Sequence, residues 1–520
     1  MVDRYLWGKY SLYWADAHLN VHGEDIWYPK LTWERLEGIF EAARSHLDFL
    51  PIAYYPFIWY EKNGLIIESC GHRDKFLDEW RLIQEAVAKM NNPGNFVTFL
   101  GYEWHGNRRR YGDHNVYYLG DYEPLDASET LPELYDNLRE IGGIAIPHHT
   151  GYQVGERGKD WDFHDDELSP FVEIYSAHGS SEGCDTPFTL NRNMNMGPRV
   201  SGGTVLEGLE RGYRLGITAS GDNHRDFAGV WGNGLMAVYA EELTRESIWD
   251  AFMNRHIYGV TGDRIKLKFT TNGHMMGERF KSKKPVEIKV EVEGSHAIDK
   301  VEIVKNGRIA YVYCHQGLWN TPPSGRDVRV KLRVECGWGP QERYGVKGVA
   351  KLWDCFLEVV DGRLLSVEPC FTDFGQKTVS ISENTCNWLF TTKPKAIQGL
   401  VFELESHSRG RINLELNSKA SSFILEELLK KSRIIALRED SVKMILEQFN
   451  LSPEDVENPD IYWHHAYKAK IHIAVPQEAY HVKLSYTDNN PREGINYYYV
   501  RVTQVNGQMA WSSPCWVEIS

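Results

Sequence analysis

The sequence lacks most of the features that mark secreted, membrane-spanning and disulfide-rich proteins. It contains eight cysteines but no C-x-x-C pair, which argues against a zinc ribbon and a dense disulfide framework. No apolar run is long enough to span a membrane, and the N-terminus lacks the apolar stretch of a signal peptide. We therefore expect a cytoplasmic protein without a membrane span.

An excess of basic residues is also missing. The chain carries 58 Lys and Arg against 72 Asp and Glu, a net charge of -14. This charge argues against nucleic-acid binding but leaves room for a local anion pocket. Aromatic residues are abundant at 12%, which fits organic or sugar-like substrates and equally the cores of β-sandwiches. We expect a small, anionic substrate and no membrane or nucleic-acid partner, and we leave homo-oligomerisation open.

With 520 residues, the chain is long enough for two or three domains. Residues 1–265 alternate strand-like and helix-like segments, for example a strand over 13–21 and a helix over 73–90. A later helix starts after Thr244, a plausible N-cap. This alternation predicts a (β/α) barrel or a related α/β fold, in which chemistry sits at the C-terminal ends of strands.

The pattern changes after Arg264. Short alternating segments separated by Gly or Asn predict a β-sandwich accessory domain over residues 266–520. A strand-rich and helical insertion is expected at about 340–460, with residues 421–456 reading as helical. The last segment, from residue 495, reads as a hairpin.

A ladder of polar residues occupies the first predicted strand. Asp16, His18, Asn20 and His22 alternate along it and would share one face. A single strand histidine is usually structural. Four polar residues on one face are poor core material, because each needs a buried partner, so the ladder indicates a site.

More histidines and carboxylates end most of the other predicted strands. Imidazole and carboxylate ligands suit zinc, manganese or iron. A bridging carboxylate such as Glu103 can hold two metals roughly 3.5–4 Å apart. The residues concerned are Glu103, His105, Asp113, His114, His148, His149, Glu173, His178, Asp222 and His224.

These motifs resemble the PHP superfamily, named for polymerase and histidinol phosphatase domains, and within it a large bacterial PHP-like family of mostly unassigned function. The resemblance rests on DAHLN, GYEWHG, DHNVYYL, IPHHT, EIYSAH, SGDNH and TRESIWDAFMNRHIYGVTGDRI, in that order. The terminal YYYVRVTQVNGQMAWSSP resembles that family's accessory β-domain. The resemblance as a whole implies a metal-dependent hydrolase with a distorted (β/α)7-type PHP barrel over residues 1–265, followed by a β-sandwich-rich C-terminal region.

The resemblance also implies a ligand set. His18 matches the first histidine of an H-x-H pair and Glu103 the bridging glutamate, while His148 matches a strand-end histidine for which His149 is the rival. The implied metal ligands are His18, Asn20, Glu103, His114, His148, Asp222 and His224.

Two positions depart from the family pattern. Asn20 stands where the second histidine of H-x-H is expected, and Tyr54 and Tyr55 stand where a T-D-H motif is expected. A third metal is therefore not expected, and one or two divalent ions (Zn, Mn or Fe) are. His22 shares the strand face and is available to compensate; a degenerate, metal-free site is the alternative.

The catalytic residues expected on this basis are Asp222, His224 and His149. Bound metal lowers the pKa of water to about 7, and a histidine then serves as acid or base near the leaving group. Arginines pair well with anions, although the same residues could form a solvated loop. The predicted substrate contacts are Arg108, Arg109, Arg110, Arg225, Tyr54, Tyr55 and His178.

Phosphoesters, as mono-, di- or triesters, are the expected substrates, because PHP relatives mostly hydrolyse them. Amides, lactones and other carboxyl esters are the alternative, since the same activated water attacks carbon. A second alternative is a degenerate glycan-binding protein that uses the aromatic-rich β-domain.

Overall fold

A computed structural model describes residues 6–70, 73–188, 190, 196–317, 323–342, 345–417 and 419–520. The chain is a mixed α/β protein that is rich in strands. None of the helices in these ranges has the length and apolar character needed to cross a membrane. The chain forms two compact units: a larger one that extends to residue 293 and adds residues 299–314 and 483–520, and a smaller one formed by residues 294–298 and 315–482.

The helices include several with clear end signals. α4 starts with a capping box between Thr130 and Glu133 and ends at Gly142, whose φ of 82° suits glycine. In chain order the helices are α1 (Trp33–Arg44), α2 (Arg73–Met90), α3 (Arg108–Tyr111), α4 (Leu131–Ile141), α5 (Val205–Glu210), α6 (Arg245–Asn254), α7 (Leu425–Leu428), α8 (Arg438–Phe449), α9 (Pro459–His465) and α10 (Gln477–Tyr480).

The strands up to residue 314 include, before residue 220, those that carry the polar motifs of the sequence within them or at their ends. They are β1 (Leu6–Trp7), β2 (Tyr10–Ala15), β3 (Leu19–His22), β4 (Phe49–Tyr55), β5 (Ile58–Lys62), β6 (Leu65–Ser69), β7 (Val97–Trp104), β8 (His114–Tyr118), β9 (Gly143–Pro147), β10 (Phe171–Ser176), β11 (Gly179–Ser180), β12 (Gly216–Ala219), β13 (Leu235–Ala240), β14 (Ile257–Val260), β15 (Lys266–Thr271), β16 (His274–Met275), β17 (Arg279–Ser282), β18 (Val286–Glu293), β19 (Ile298–Lys305) and β20 (Arg308–Cys314).

The later strands are antiparallel in most pairings. They are β21 (Asp327–Gly337), β22 (Lys351–Val359), β23 (Gly362–Cys370), β24 (Lys377–Ile381), β25 (Thr385–Thr392), β26 (Ile397–His407), β27 (Arg411–Leu416), β28 (Lys419–Ile424), β29 (Arg433–Ala436), β30 (Lys468–Ile471), β31 (Val475–Pro476), β32 (His481–Asp488), β33 (Gly494–Gln504), β34 (Met509–Ser512) and β35 (Cys515–Ile519).

In the larger unit, a central group of parallel strands positions the polar motifs. β4 pairs in parallel with β2, β3 and β7, and both β4 and β7 are buried along their whole length. Such strands are apolar on both faces, as expected where both faces are covered. β8 and β9 continue the sheet antiparallel, while β10 and β12 pair in parallel in a second sheet. This mixed parallel and antiparallel pairing supports an α/β fold but does not establish the predicted (β/α)7 barrel, which stays a prediction.

The C-terminal strands belong to the same unit. β34 pairs antiparallel with β14, and β33 pairs with both β34 and β35. The smaller unit contains an antiparallel sheet of six strands around β21 and β26 and one of five strands around β22. The predicted domain boundary at 265/266 stays a prediction.

Several predicted elements are confirmed, and three need correction. Helix α2 covers the predicted residues 73–90, and Thr244 caps α6 by accepting a hydrogen bond from the Ser247 amide. The predicted strand over 13–21 is wrong as one element, because the backbone leaves extended geometry between β2 and β3. The predicted helix over 421–456 is wrong in part, since it contains β28 and β29 beside α7 and α8. The predicted final hairpin is three strands, β33 to β35.

Candidate metal centre

The ends of β7, β9 and β12 and the start of β3 bring histidines and carboxylates together. Four overlapping groups of three side chains have potential ligand atoms within 4.8 Å of one another. Four side chains belong to two groups each, so the groups form one continuous, largely buried cluster. The groups are His18–Glu103–His148, Asp113–His148–His149, His149–His178–Asp222 and His18–Glu173–Asp222.

His18 lies at the centre of this cluster and is fully buried. Its Nδ1 lies 2.9 Å from Glu173 Oε2, and its Nε2 lies 3.6 Å from Asp222 Oδ1 and 3.7 Å from Glu103 Oε2. Burial alone lowers the pKa of His18, but the charges of Asp222 and Glu173 outweigh it and hold that pKa well above its usual value. The surrounding carboxylates therefore favour a positive charge at this position.

Within the cluster, His148 lacks hydrogen-bond partners among the described residues on both of its ring nitrogens. Both of these nitrogens are buried. Burial, reinforced by His18 and His149, holds its pKa well below the usual value, so the ring is neutral. Neutral imidazole is the form that binds a metal, and an unpaired buried polar atom costs about 1–3 kcal/mol. His148 therefore fits a metal ligand better than a core residue.

His149, His178 and Asp222 form the second side of the cluster. Asp222 Oδ2 lies 3.0 Å from His178 Nε2, while Tyr152 OH lies 2.8 Å from His178 Nδ1. His149 and Asp222 both adopt positive φ, at 32° and 47°, which is uncommon outside glycine. Strained backbone of this kind persists where the surrounding structure holds it, often at functional sites.

The predicted ligand His114 does not join any of these groups. In the β7–β8 ladder, His114 lies opposite Trp104, whereas Asn115 lies opposite Glu103. Directly opposed residues share a face, so His114 points to the side of the sheet away from Glu103 and packs against Trp104. Asp113, one residue earlier, faces the cluster instead, with its Oδ2 3.5 Å from His149 Nε2.

Asn20, His22 and His224 extend the cluster towards solvent. The Asn20 Nδ2 lies 3.3 Å from both His18 Nε2 and His224 Nε2, so the amide bridges the two histidines. His224 Nδ1 is hydrogen-bonded to His22 Nε2 at 2.8 Å, and its Nε2 lies 3.4 Å from Asp222 Oδ1. The His224 side chain is 35% exposed, which places it at the mouth of the site.

The three consecutive arginines take different positions. Arg108 lies 3.8 Å from Glu103 and 3.7 Å from Asp113. Arg109 is exposed and pairs with Glu156, and Arg110 is exposed over the ring of Phe163. One arginine of the run therefore reaches the cluster.

Arg157 reaches the cluster although its surrounding sequence gives no pattern that predicts it. Its Nε lies 2.8 Å from Asp113 Oδ2. Burial raises the pKa of Asp113, but Arg157 and Arg108 outweigh it and lower the value to about 2. The predicted contact Arg225 is exposed beside His224 in sequence.

The two predicted substrate-contact tyrosines face opposite sides of β4. Tyr55 lies towards the site, 5.6 Å from the His224 ring, and donates to Glu68 at 2.6 Å. Tyr54 points to α2 and donates to Glu79 at 2.6 Å, so the structure does not bring it to the cluster.

Asp16 has a structural role at the break between β2 and β3. Its carboxylate accepts hydrogen bonds from the amides of His18, Gly221 and Gly229 at 2.7–3.0 Å. The carboxylate therefore joins the segment that carries His18 to the segment that carries Asp222.

Glu173 and Asp113 are cluster members that fell outside the predicted ligand set. Glu173 had a sequence signal, because it is an acidic residue within the otherwise apolar strand β10. Asp113 had a weaker one, since the strand pattern alone does not decide whether Asp113 or its neighbour His114 faces the site.

The matching proteins have no assigned function. The family model DUF3604, described as a protein of unknown function, matches residues 209–294. An uncharacterized protein of Chlamydia pneumoniae is 29% identical over 308 residues, which covers 55% of this chain and 49% of that protein. An uncharacterized protein of Chlamydia muridarum is 26% identical over 314 residues, which covers 56% of this chain and 50% of that protein. The chain thus spans about half the length of these relatives.

A solved structure from Bacteroides vulgatus also matches. It is described as a two-domain protein containing a predicted PHP-like metal-dependent phosphoesterase. The match has 12% identity and a TM-score of 0.34, and covers 81% of this chain and 97% of the other. A likeness of this size does not define a shared fold.

Proposed function

We propose that this protein is a metal-dependent hydrolase that acts on phosphoesters. The observation that carries the proposal is the buried cluster of imidazoles and carboxylates in which both nitrogens of His148 are unpaired. Such a donor set suits zinc, manganese or iron. A divalent ion there would supply Lewis acidity and an activated water.

The four groups divide into two pairs whose members share no residue, and we assign one ion to each group of the first pair. These are His18–Glu103–His148 and His149–His178–Asp222. In this assignment Glu173 and Asp113 position the ligands, because Glu173 is already bonded to His18 Nδ1 and Asp113 to Arg157. A carboxylate that holds the second nitrogen of a ligand histidine fixes the orientation of the ring.

A histidine and two arginines around the cluster have roles that fit phosphoester hydrolysis. His224 is at the solvent-facing mouth. Its Nδ1 is bonded to His22, its Nε2 lies 3.3 Å from the Asn20 amide and 3.4 Å from Asp222, and we assign the ring to proton exchange with the leaving group. Arg108 and Arg157 place positive charge beside the cluster, which favours a small anionic substrate. Together these features support phosphoester hydrolysis over hydrolysis of a neutral carboxyl ester. As part of the same proposal, we assign the larger unit a PHP-type barrel.

A panel of chromogenic phosphomonoester, diester, triester, sulfate ester and lactone substrates tests this function. With metal added, we expect the wild-type chain to hydrolyse a phosphoester, and Asp222→Asn to lose that activity. His114→Gln is the matched control, because His114 is a buried histidine outside the cluster. Activity on lactones alone would identify a carboxyl-ester hydrolase, while a metal-free chain without turnover would favour a binding protein.

A further inference from the structure

Large apolar side chains are exposed on the loop before α1 and on the β5–β6 hairpin. Trp27 is 57% exposed, and Leu65 is 65% exposed. Ile26, Tyr60 and Ile66 are exposed as well. Clustered exposed apolar residues mark binding surfaces more often than single ones do.

Trp59 of the β5–β6 hairpin packs against three other aromatic rings, from the loop before α1 and from the end of β4. We call this group the aromatic shelf: Trp27, Tyr28, Tyr55 and Trp59. The Trp27 and Trp59 ring centroids are 5.1 Å apart, and the Tyr55 and Trp59 rings are stacked at 5.3 Å. The Tyr28 and Trp59 rings are 6.2 Å apart. The aromatic shelf therefore extends from buried Tyr55 to solvent-exposed Trp27.

The inner end of the shelf adjoins the proposed active site. His22 stacks on Tyr28 with a centroid distance of 4.0 Å and is hydrogen-bonded to His224. The Tyr55 ring lies 5.6 Å from the His224 ring. His224 in turn lies 3.4 Å from Asp222, so one histidine separates the shelf from the metal cluster.

The Asp25 carboxylate fixes the backbone of three of the shelf residues. Asp25 Oδ1 accepts hydrogen bonds from the amides of Trp27 and Tyr28 at 2.7 and 2.9 Å. Asp25 Oδ2 accepts one from the amide of Trp59 at 3.2 Å, which links the loop to β5. The three aromatic residues are thus held in place by their backbones, and Trp27, which is 57% exposed, offers the most surface to a ligand.

We propose that the aromatic shelf binds a planar aromatic group of the substrate on the leaving-group side of the scissile bond, an inference that rests on the hydrolase function proposed above. Aromatic rings prefer offset-stacked or edge-to-face contacts with other aromatic rings, and the exposed edge of the shelf offers such contacts to a planar ligand group. A sugar is a poorer match, because its hydroxyl groups would need polar partners. The neighbouring carboxylates of Asp25, Glu68 and Asp226 are already bonded to protein donors.

Binding of two matched ligand pairs tests the shelf. The pairs are benzylphosphonate with methylphosphonate and phenylacetate with acetate, each measured by calorimetry on the metal-loaded full chain. We expect the aromatic member of at least one pair to bind about tenfold more tightly than its partner. Trp27→Ala and Trp59→Ala should each reduce this preference to less than about threefold without weakening the small ligand.

Trp463→Ala is the matched control, since Trp463 is 40% exposed in the smaller unit. Asp25→Ala should also reduce the preference, because it releases the shelf without removing a ring. No aromatic preference, a preference that survives both tryptophan replacements, or binding of neither pair would overturn the shelf. Binding of the carboxylate pair alone, with the preference lost in the variants, would keep the shelf and count against the phosphoester proposal.

Discussion

His148 and His114 are both buried histidines next to neighbouring strands, β9 and β8. The first lies inside the metal cluster, and the second lies against Trp104 on the other face of the sheet. The same residue type therefore has two different roles, and strand alternation decides between them.

Replacing each histidine by glutamine separates these roles. We expect His148→Gln to weaken binding of a divalent ion by at least about tenfold, because it removes a ligand. His114→Gln should retain the wild-type affinity. Metal titration followed by calorimetry measures both, and equal losses in the two variants would contradict the assignment.

His18 links metal binding to pH. Nearby Asp222 and Glu173 outweigh the effect of burial and raise its pKa in the metal-free chain, whereas a metal requires the neutral ring. Metal binding should therefore release a proton, and metal affinity should rise as pH increases through the raised pKa of the folded state. Calorimetry in buffers of different ionisation enthalpy counts the protons, and binding without proton release would argue against His18 as a ligand.

The raised pKa of His18 also determines how the stability of the metal-free fold depends on pH. The pKa of His18 is higher in the folded chain than the value of about 6.5 expected when unfolded. Its stabilising contribution to the metal-free fold is therefore full below about pH 6.5, and is lost as pH rises through the folded-state pKa.

At the scale of elements, α1 holds the mouth of the site through Arg35. Its guanidinium donates to both oxygens of Asp226, and also to the backbone carbonyls of His22 and Pro29. This single side chain joins the end of β3 to the loop that follows His224.

Replacing Arg35 by lysine keeps the positive charge but removes the planar guanidinium that bonds both oxygens of Asp226. We expect a loss of about 1–2 kcal/mol in the free energy of unfolding and a lower kcat, because His224 is less well positioned. Arg44→Lys on the same helix is the control, as Arg44 is exposed and pairs with Glu41 three residues away. Urea denaturation and steady-state kinetics measure both variants, and equal effects would remove the positioning role of Arg35.

Element prediction worked where burial dictates the pattern. Strands β4 and β7 are buried throughout and were visible as continuous apolar runs, while α2 shows clear helical periodicity. Prediction failed over 13–21, where Asp16 accepts three backbone hydrogen bonds and ends the strand. No local pattern reveals those partners, because two of them lie more than 200 residues away.

The motifs predict His18, Glu103, His148 and Asp222 as ligands, and the structure places these four side chains in one cluster. These residues are far apart in the sequence and are brought together at the ends of β7, β9 and β12 and at the start of β3. Choosing Asp113 over His114 requires the pairing register with β7, which depends on the folded sheet. Arg157 lies in a loop and meets Asp113 only through the tertiary fold.

At the scale of the whole chain, the C-terminal strands complete the larger unit. Buried Glu182 accepts hydrogen bonds from Tyr499 OH at 2.7 Å, Trp511 Nε1 at 2.9 Å and Arg501 at 3.0 Å. Arg501 also donates to Glu302 at 2.7 Å. Residues more than 300 positions apart in the sequence thus share one buried polar network.

Breaking this network should destabilise the larger unit strongly. Glu182→Ala leaves Arg501 with one fewer buried partner and Trp511 without its acceptor, and we expect a loss of about 3–5 kcal/mol in the free energy of unfolding. Glu207→Ala is the control, because its pair with Arg211 is partly exposed and should contribute about 0–1 kcal/mol. Urea denaturation of both variants gives the comparison, and similar midpoints would contradict the importance of the network.

The most direct test of the central claim is metal-dependent turnover by the 520-residue chain. Chelation followed by dialysis should abolish phosphoester hydrolysis, and titration with zinc, manganese or iron(II) should restore it at one or two equivalents per chain. Asp222→Asn should not be restored at the same metal concentration. Undiminished activity in the chelated protein, or a wild-type chain that binds none of these ions, would contradict the account.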